Sequence, residues 1–416
     1  MNAVTDLELP VFDYTAPDFS ADVYHRKLAE ARAQGWLASS PLAYLVLDRE
    51  AGEFFLRSRA TAFPGRQIAE FFGLTSGPLW DNIDANILNL SGAAHRRLRA
   101  LVGHAFTPRA ADRWRPAMRG FLAGLWDRIV PATSCEFVAS VAKPYPSLTI
   151  AAVLGVPAED APRLHEWSNL VQRQFDIRAL ETQREDIERA ATQVRDYVAA
   201  LLGRRRGKNA DDLVSVLLAA EADGDTLSRD ECVNLVINVL AGGIDTTQSQ
   251  LSHALRLFAE HPAQWEMLAG DPDLVPRAVQ EVLRFEPATP FTARICLEEI
   301  TYRGVTFPAG TVVAVCAERG NRECADGEAF DITAARDDRL LTFGAGAHYC
   351  LGVNLAHAEL EEALAFLPAR MPGLALAGSA RLGGVEGIYG IDSLPLRWSD
   401  GATTPSQTAE ARSGAA

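Results

Sequence analysis

Cys350 stands in the run Phe343-Gly344-Ala345-Gly346-Ala347-His348-Tyr349-Cys350-Leu351-Gly352, whose composition is that of a socket for a metal-bound thiolate. A thiol with a pKa near ~8.5 is mostly protonated at neutral pH, and a buried thiolate is costly to desolvate, so a sulfur anion needs a strong positive partner. A metal ion supplies one. Gly344, Gly346 and Gly352 let the backbone approach a flat group and adopt positive φ, at ~0.5–1 kcal/mol each in lost chain freedom. The spacing of Leu351, Leu355, Leu360 and Leu364 predicts a helix over 351–366. Its N-terminus then lies beside the sulfur and favours the anion by roughly 0.3–1 kcal/mol. Taken alone, a cysteine is more simply a reduced core residue.

Three other groups of residues carry chemical potential. Gly242-Gly243-Ile244-Asp245-Thr246-Thr247 interrupts the long apolar-periodic stretch Leu227 to Glu260. Read by itself, it breaks one helix and starts another with Asp245 as N-cap and Gln248 near N3, a loose capping box. Glu281-Val-Leu-Arg284 is an i,i+3 pair of opposite charge, no more informative alone than Glu181 and Arg184, because such pairs contribute only ~0.2–0.5 kcal/mol. His95, Arg99 and Arg294, each taken singly, read as solvated surface charges.

Phe343 to Gly352 matches every fixed position of F-G-x-G-x-H-x-C-x-G, the haem loop of the cytochrome P-450 family, and on that match the chain resembles a soluble bacterial member. The resemblance implies a mainly α fold with small β-sheets in one large domain. It also implies haem b, an iron protoporphyrin, with Cys350 as metal ligand and Phe343, His348 and Gly352 around the cofactor. The family's A/G-G-x-D/E-T motif makes Asp245 a relay of protons from solvent and Thr246 the hydrogen-bonding partner of dioxygen, the two catalytic residues. Its E-x-x-R motif makes Glu281 and Arg284 a structural charge pair completed by Arg336. His95, Arg99, Arg294 and His348 match the groups that hold the haem propionates, where the planar fork of arginine suits carboxylate. The family's pocket-lining regions correspond to Phe72, Trp80, Ile87, Phe175, Leu240, Gly243, Thr289, Phe291, Ile388 and Tyr389.

The implied activity is that of a monooxygenase inserting one atom of dioxygen into a small lipophilic substrate, by hydroxylation or epoxidation, in secondary metabolism. A haem-thiolate enzyme of oxidative coupling or desaturation, and a noncatalytic haem protein, share the same loop. Electrons are expected from a ferredoxin and its reductase, docking where Arg96, Arg97, Arg109 and Arg113 form a basic patch. Some positions depart from the family pattern. Ser91-Gly-Ala-Ala-His95 lacks the usual acid and proline before the propionate helix, Gly320-Asn-Arg-Glu-Cys replaces A-N-R-D-P, and His357 stands where relatives often have arginine.

The elements that must position these residues read as helices over Phe19–Gln34, Ala94–Phe106, Ala110–Ile129, Ala158–Gln174, Ile187–Leu202, Leu227–Glu260, Pro276–Phe285 and Leu351–Phe366. Short strands are predicted over Tyr44–Leu47, Thr292–Cys296, Ile300–Tyr302 and Thr311–Val315, with turns at Arg303-Gly304 and Pro308-Ala-Gly310. Residues 1–398 are expected to form a single domain and the small, polar 399–416 a disordered tail. With 40 Lys+Arg against 54 Asp+Glu, a net charge of −14 argues against nucleic acid and anionic membrane as partners. Six cysteines without a C-x-x-C pair, and no apolar run long enough for a membrane anchor, fit a reduced, cytoplasmic protein.

Overall fold

In a computed structural model, the described residues are 2–14, 21–130, 132–208, 210–222, 227–336, 339–385 and 387–399. The expected tail therefore falls, from residue 400 onward, outside the described residues. The helices that build the site are α1 (Gly92–Gly103), α2 (Pro144–Leu154), α3 (Ala161–Gln172), α4 (Arg229–Gly243), α5 (Asp245–Glu260), α6 (Val275–Phe285) and α7 (Val353–Phe366). They share one apolar cluster running from Ala69 to Trp398, with α4 and α5 through its middle.

The strands β1 (Leu37–Ser39), β2 (Tyr44–Val46), β3 (Thr61–Ala62), β4 (Phe291–Cys296) and β5 (Val312–Cys316) form a sheet in the order β1-β2-β5-β4-β3. Its β2–β5 pairing is parallel and the rest antiparallel. Arg294 pairs with Val313 in this register, on the strand held between β5 and β3. The expected turn at Arg303-Gly304 takes φ of 48° and 78°, the left-handed pair that closes a tight hairpin.

Several elements differ from the periodicity reading. The stretch Leu227–Glu260 is two helices separated by Ile244, and its start is fixed by a capping box between Ser228 and Glu231. Helix α2 has no polar face: Tyr145, Pro146, Ser147, Thr149, Ile150 and Val153 are all buried, so a helical period was absent from its sequence. Arg49–Arg57 and Leu213–Ala222 are further helices outside the predicted set.

Glu281 and Arg284 form the lock beneath the site. Both are nearly inaccessible, at 4% and 2% exposure. Arg284 donates to both carboxylate oxygens of Glu281 at 2.7 and 2.8 Å, and to the carbonyls of Gly327 and Ala329. Arg336 approaches Glu281 at 3.2 Å and donates to the carbonyls of Ala325 and Ala329, completing the expected triad. Two guanidiniums thus fold residues 325–331 into the turn that leads to the cysteine loop. Despite its changed sequence, the preceding run keeps its anchors, with Asn321 Nδ2 on Thr342 Oγ1 at 2.8 Å and Arg322 on the Phe285 carbonyl at 2.7 Å.

Removing one member of such a buried pair strands the other charge, at about 3–5 kcal/mol. Glu281→Gln and Arg284→Ala are therefore each expected to lower the urea-unfolding free energy by that order and to leave little folded protein. Wild-type midpoints in either variant would contradict the structural role.

Candidate active site

The cysteine loop begins in a short turn, Leu341–Phe343, and closes when the Cys350 N–H donates to the Phe343 carbonyl at 2.9 Å. Gly346 has φ of 71°, and a Cβ there would stand 2.9 Å from the Leu56 carbonyl oxygen, so both conformation and space demand glycine. Gly352 differs from expectation. Its φ is −82°, and it serves as the N-cap position of α7, its N–H directed to the Cys350 sulfur. Burial pushes the Cys350 thiol up, against the pull of that N–H and of Arg99. The chain alone does not stabilise the thiolate; a bound cation has to.

Cys350 opens onto a cavity of about 850 Å³, and of the six cysteines it alone lines it. Gly242, Gly243 and Thr246 form part of the opposite wall. Thr246 Oγ1 donates to the Gly242 carbonyl at 2.8 Å, across the break at Ile244. The expected capping box does not form. Asp245 makes no cap bond to α5; its carboxylate turns from the cavity and accepts from Ser168 Oγ at 2.7 Å. A Cβ on Gly243 would lie 2.4 Å from Ile150 Cδ1, so any side chain there would have to displace that isoleucine terminus.

Phe72, Ile87, Phe175, Gly243, Thr289, Phe291 and Ile388 line the cavity as expected. Trp80, Leu240 and Tyr389 do not. Trp80 packs against the apolar cluster on the helix Pro78–Asp84. Leu240 lies off the stripe of α4 that faces the cavity, on the side where its carbonyl receives Ser168 Oγ. Tyr389 turns opposite to Ile388, its ring 4.6 Å from His253 and 5.5 Å from Tyr24.

Four donors converge on one wall. His95 and His348 have ring centroids 4.3 Å apart, and Arg99 donates to the Tyr349 carbonyl. Arg294 is 4% exposed and donates only to the neighbouring Ala293 carbonyl at 2.8 Å. None of the four pairs with a carboxylate among the described residues. Burial alone pulls the Arg294 guanidinium down to about 10. Burial, then His95, Arg294 and Arg99, pulls the His348 imidazole down to about 4. Two buried donors, His95 and Arg294, and two half-buried ones, Arg99 and His348, without a counter-charge among the described residues call for a dianion or a pair of carboxylates.

The family model for Cytochrome P450 matches residues 163–367. Luteothin monooxygenase of Streptomyces thioluteus is 37% identical over 401 residues, covering 94% of this chain and 96% of the relative. The chain belongs to the cytochrome P450 family. Mycinamicin IV hydroxylase/epoxidase of Micromonospora griseorubida is 34% identical over 77% of each chain. The crystal structure of CalO2 aligns with a TM-score of 0.87 at 29% identity, covering 95% of this chain and all of that one.

As a cytochrome P450 it is a haem-thiolate monooxygenase that uses haem b with an axial cysteine thiolate. The residues fit that group: one sulfur lacking its cation, four donors lacking their carboxylates, and largely apolar walls. Bound there, haem supplies the electron relay and dioxygen activation, and the thiolate favours O–O cleavage. The chain's own residues at this cavity are the four donors, the apolar walls and the Thr246 hydroxyl.

Glu359 was not anticipated. It lies on α7 within the cavity wall, 1% exposed, with Thr247 Oγ1 at 3.4 Å from one carboxylate oxygen and the other oxygen unpartnered. Burial, opposed by Thr149 and Thr247, pushes its carboxyl up to about 8. The available signal was an acid inside the apolar stripe of α7. The basic patch is also smaller than expected, because Glu231 engages Arg97 and Asp211 engages Arg113. His357 is half-buried beside Phe343, ring centroids 5.5 Å apart.

Folded, Glu359 keeps its proton to about pH 8, whereas an unfolded glutamate loses it near ~4.3. The stability this proton provides is full below about pH 4 and is lost as pH rises to about 8. Glu359→Gln mimics the protonated form. Its urea midpoint relative to wild type is expected to rise between about pH 5 and about pH 8, and an unchanged difference would contradict the buried neutral acid.

Proposed function

We propose that Cys350 is the axial ligand, that His95, Arg99, Arg294 and His348 hold the haem propionates with Phe343 and Gly352 packed around the cofactor, and that Asp245 and Thr246 manage protons on the distal side. The observation that carries this reading is the unpaired, buried Arg294 in the same cavity as Cys350 and Thr246. Thr246 interacts with dioxygen from the groove over Gly242, and Asp245 feeds it protons from behind the helix. Residues 1–398 act as one haem-thiolate domain in the cytoplasm.

The substrate is a lipophilic metabolite gripped by shape. Phe72, Phe175, Phe291 and Ile388 line the cavity, while the amide of Asn238 is taken up by the Asn234 carbonyl and the Ile87 N–H. Few polar anchors remain, which favours guests of large apolar area. The names of the relatives span hydroxylation, epoxidation and N-oxygenation, the last in nocardicin C N-oxygenase of Nocardia uniformis. Electrons come from a ferredoxin and its reductase, with the exposed Arg96 and Arg109 as the free members of the docking patch.

Cys350→Ala is expected to abolish the thiolate signature in the carbon monoxide difference spectrum; retention of that signature would sink the ligand assignment. Thr246→Ala should still consume electrons while product per electron falls by ~10-fold or more. An optical titration of the wild type against polyketide, terpenoid, steroid and aromatic metabolites, followed by the Soret shift, identifies the guest class. A normal haem spectrum that no lipophilic guest perturbs would count against the apolar-guest reading.

A further inference from the structure

Helix α3 closes the far side of the break between α4 and α5. Ser168 Oγ donates to Asp245 Oδ2 at 2.7 Å and lies 3.3 Å from the Leu240 carbonyl oxygen, while Asn169 Nδ2 reaches Asp245 Oδ1 at 3.5 Å. One turn earlier, His165 Nε2 is 2.7 Å from Gln248 Oε1 and 3.9 Å from Asp245 Oδ1. His165 is 5% exposed, and its Nδ1 is buried without a partner. An amide oxygen only accepts, so this arrangement assigns the proton to Nε2 and the lone pair to Nδ1.

We propose that His165 is the positioning residue that supplies protons to Asp245. A proton from solvent first adds at Nδ1. Rotation of the Gln248 amide then lets the imidazolium turn Nε2–H onto Asp245 Oδ1 and transfer that proton, leaving a neutral ring that carries its proton on Nδ1 and returns to the Nε2 tautomer by exchange with water. The inference rests on the reading of Asp245 as the acid behind Thr246. Of the three α3 side chains around the carboxylate, only the imidazole exchanges protons near neutral pH; a serine hydroxyl and an asparagine amide do not. Burial raises the Asp245 carboxyl and lowers the His165 imidazole, so burial shifts their proton affinities toward each other. The charged groups facing the pair are Lys143, just before α2, Glu166 on α3 and Arg173 just beyond its end.

The test uses the haem-loaded enzyme, a ferredoxin and its reductase as electron source, and myristic acid as lipophilic probe. His165→Gln keeps a hydrogen-bonding side chain and removes the titrating ring. Dioxygen consumption is expected to fall about tenfold, with a larger solvent deuterium effect and a changed profile between about pH 5 and pH 8. A second readout needs no turnover. The infrared carboxylic-acid band that disappears in Asp245→Asn should titrate at higher pH in His165→Gln, because the imidazole holds that carboxyl down.

His165→Asn serves if the glutamine variant does not retain haem. A wild-type rate, profile and infrared midpoint in the His165 variant, beside a defective Asp245→Asn, overturns the role of His165 alone. Wild-type turnover in Asp245→Asn overturns the reading of Asp245 and the proposal with it.

Discussion

Arg294 lies in the wall of the cavity with no carboxylate paired to it among the described residues, and His95, Arg99 and His348 line the same wall. A chain that desolvates a guanidinium without pairing it is costly to fold alone, because the buried charge loses hydration and recovers nothing. Cys350 poses the same problem with the opposite sign, a sulfur that burial keeps protonated. One iron porphyrin with two propionates answers both. Folding and cofactor capture are thereby coupled, since whatever binds only the folded state stabilises it.

The break at Ile244 solves a different problem. A continuous helix would satisfy its own carbonyls and leave no polar feature in the apolar wall. Here the interruption is propped from two sides, by Thr246 Oγ1 on the Gly242 carbonyl and by Ser168 Oγ near the Leu240 carbonyl. The hydroxyl on one side faces the cavity, and the carboxylate beside it faces α3. The Thr246 hydroxyl and the Asp245 carboxylate are thus separated by the thickness of one helix, which keeps this carboxylate out of the chamber.

How much of this was legible in the chain depended on whether the signal was local. The cysteine loop was readable because its fixed residues fall within ten positions: glycine at 346, where the backbone takes positive φ, and cysteine at the head of a helix. The triad of Glu281, Arg284 and Arg336 needed context, since the same spacing recurs at Glu181 and Arg184 without burial. The direction of Asp245 was not readable, because a single non-helical residue re-aims everything after it. Helix α2 was hidden by being buried all round, and Glu359 by belonging to a helix otherwise read as packing. Trp80, Leu240 and Tyr389 were misplaced for one reason: a region can border a cavity while alternate side chains point away from it.

Gly243 and Ile150 meet across α4 and α2, and both reach the chamber. Because a Cβ at 243 would sit 2.4 Å from the isoleucine methyl, the two positions share a single allotment of space. A descendant of this protein that gained alanine at 243 would have to turn or shorten the Ile150 side chain, and the room lost beside the helix break would reappear beneath α2. Divergence at this pair therefore moves the hollow sideways without shrinking it, so the point of a guest held over the reactive centre can change while its size class stays the same.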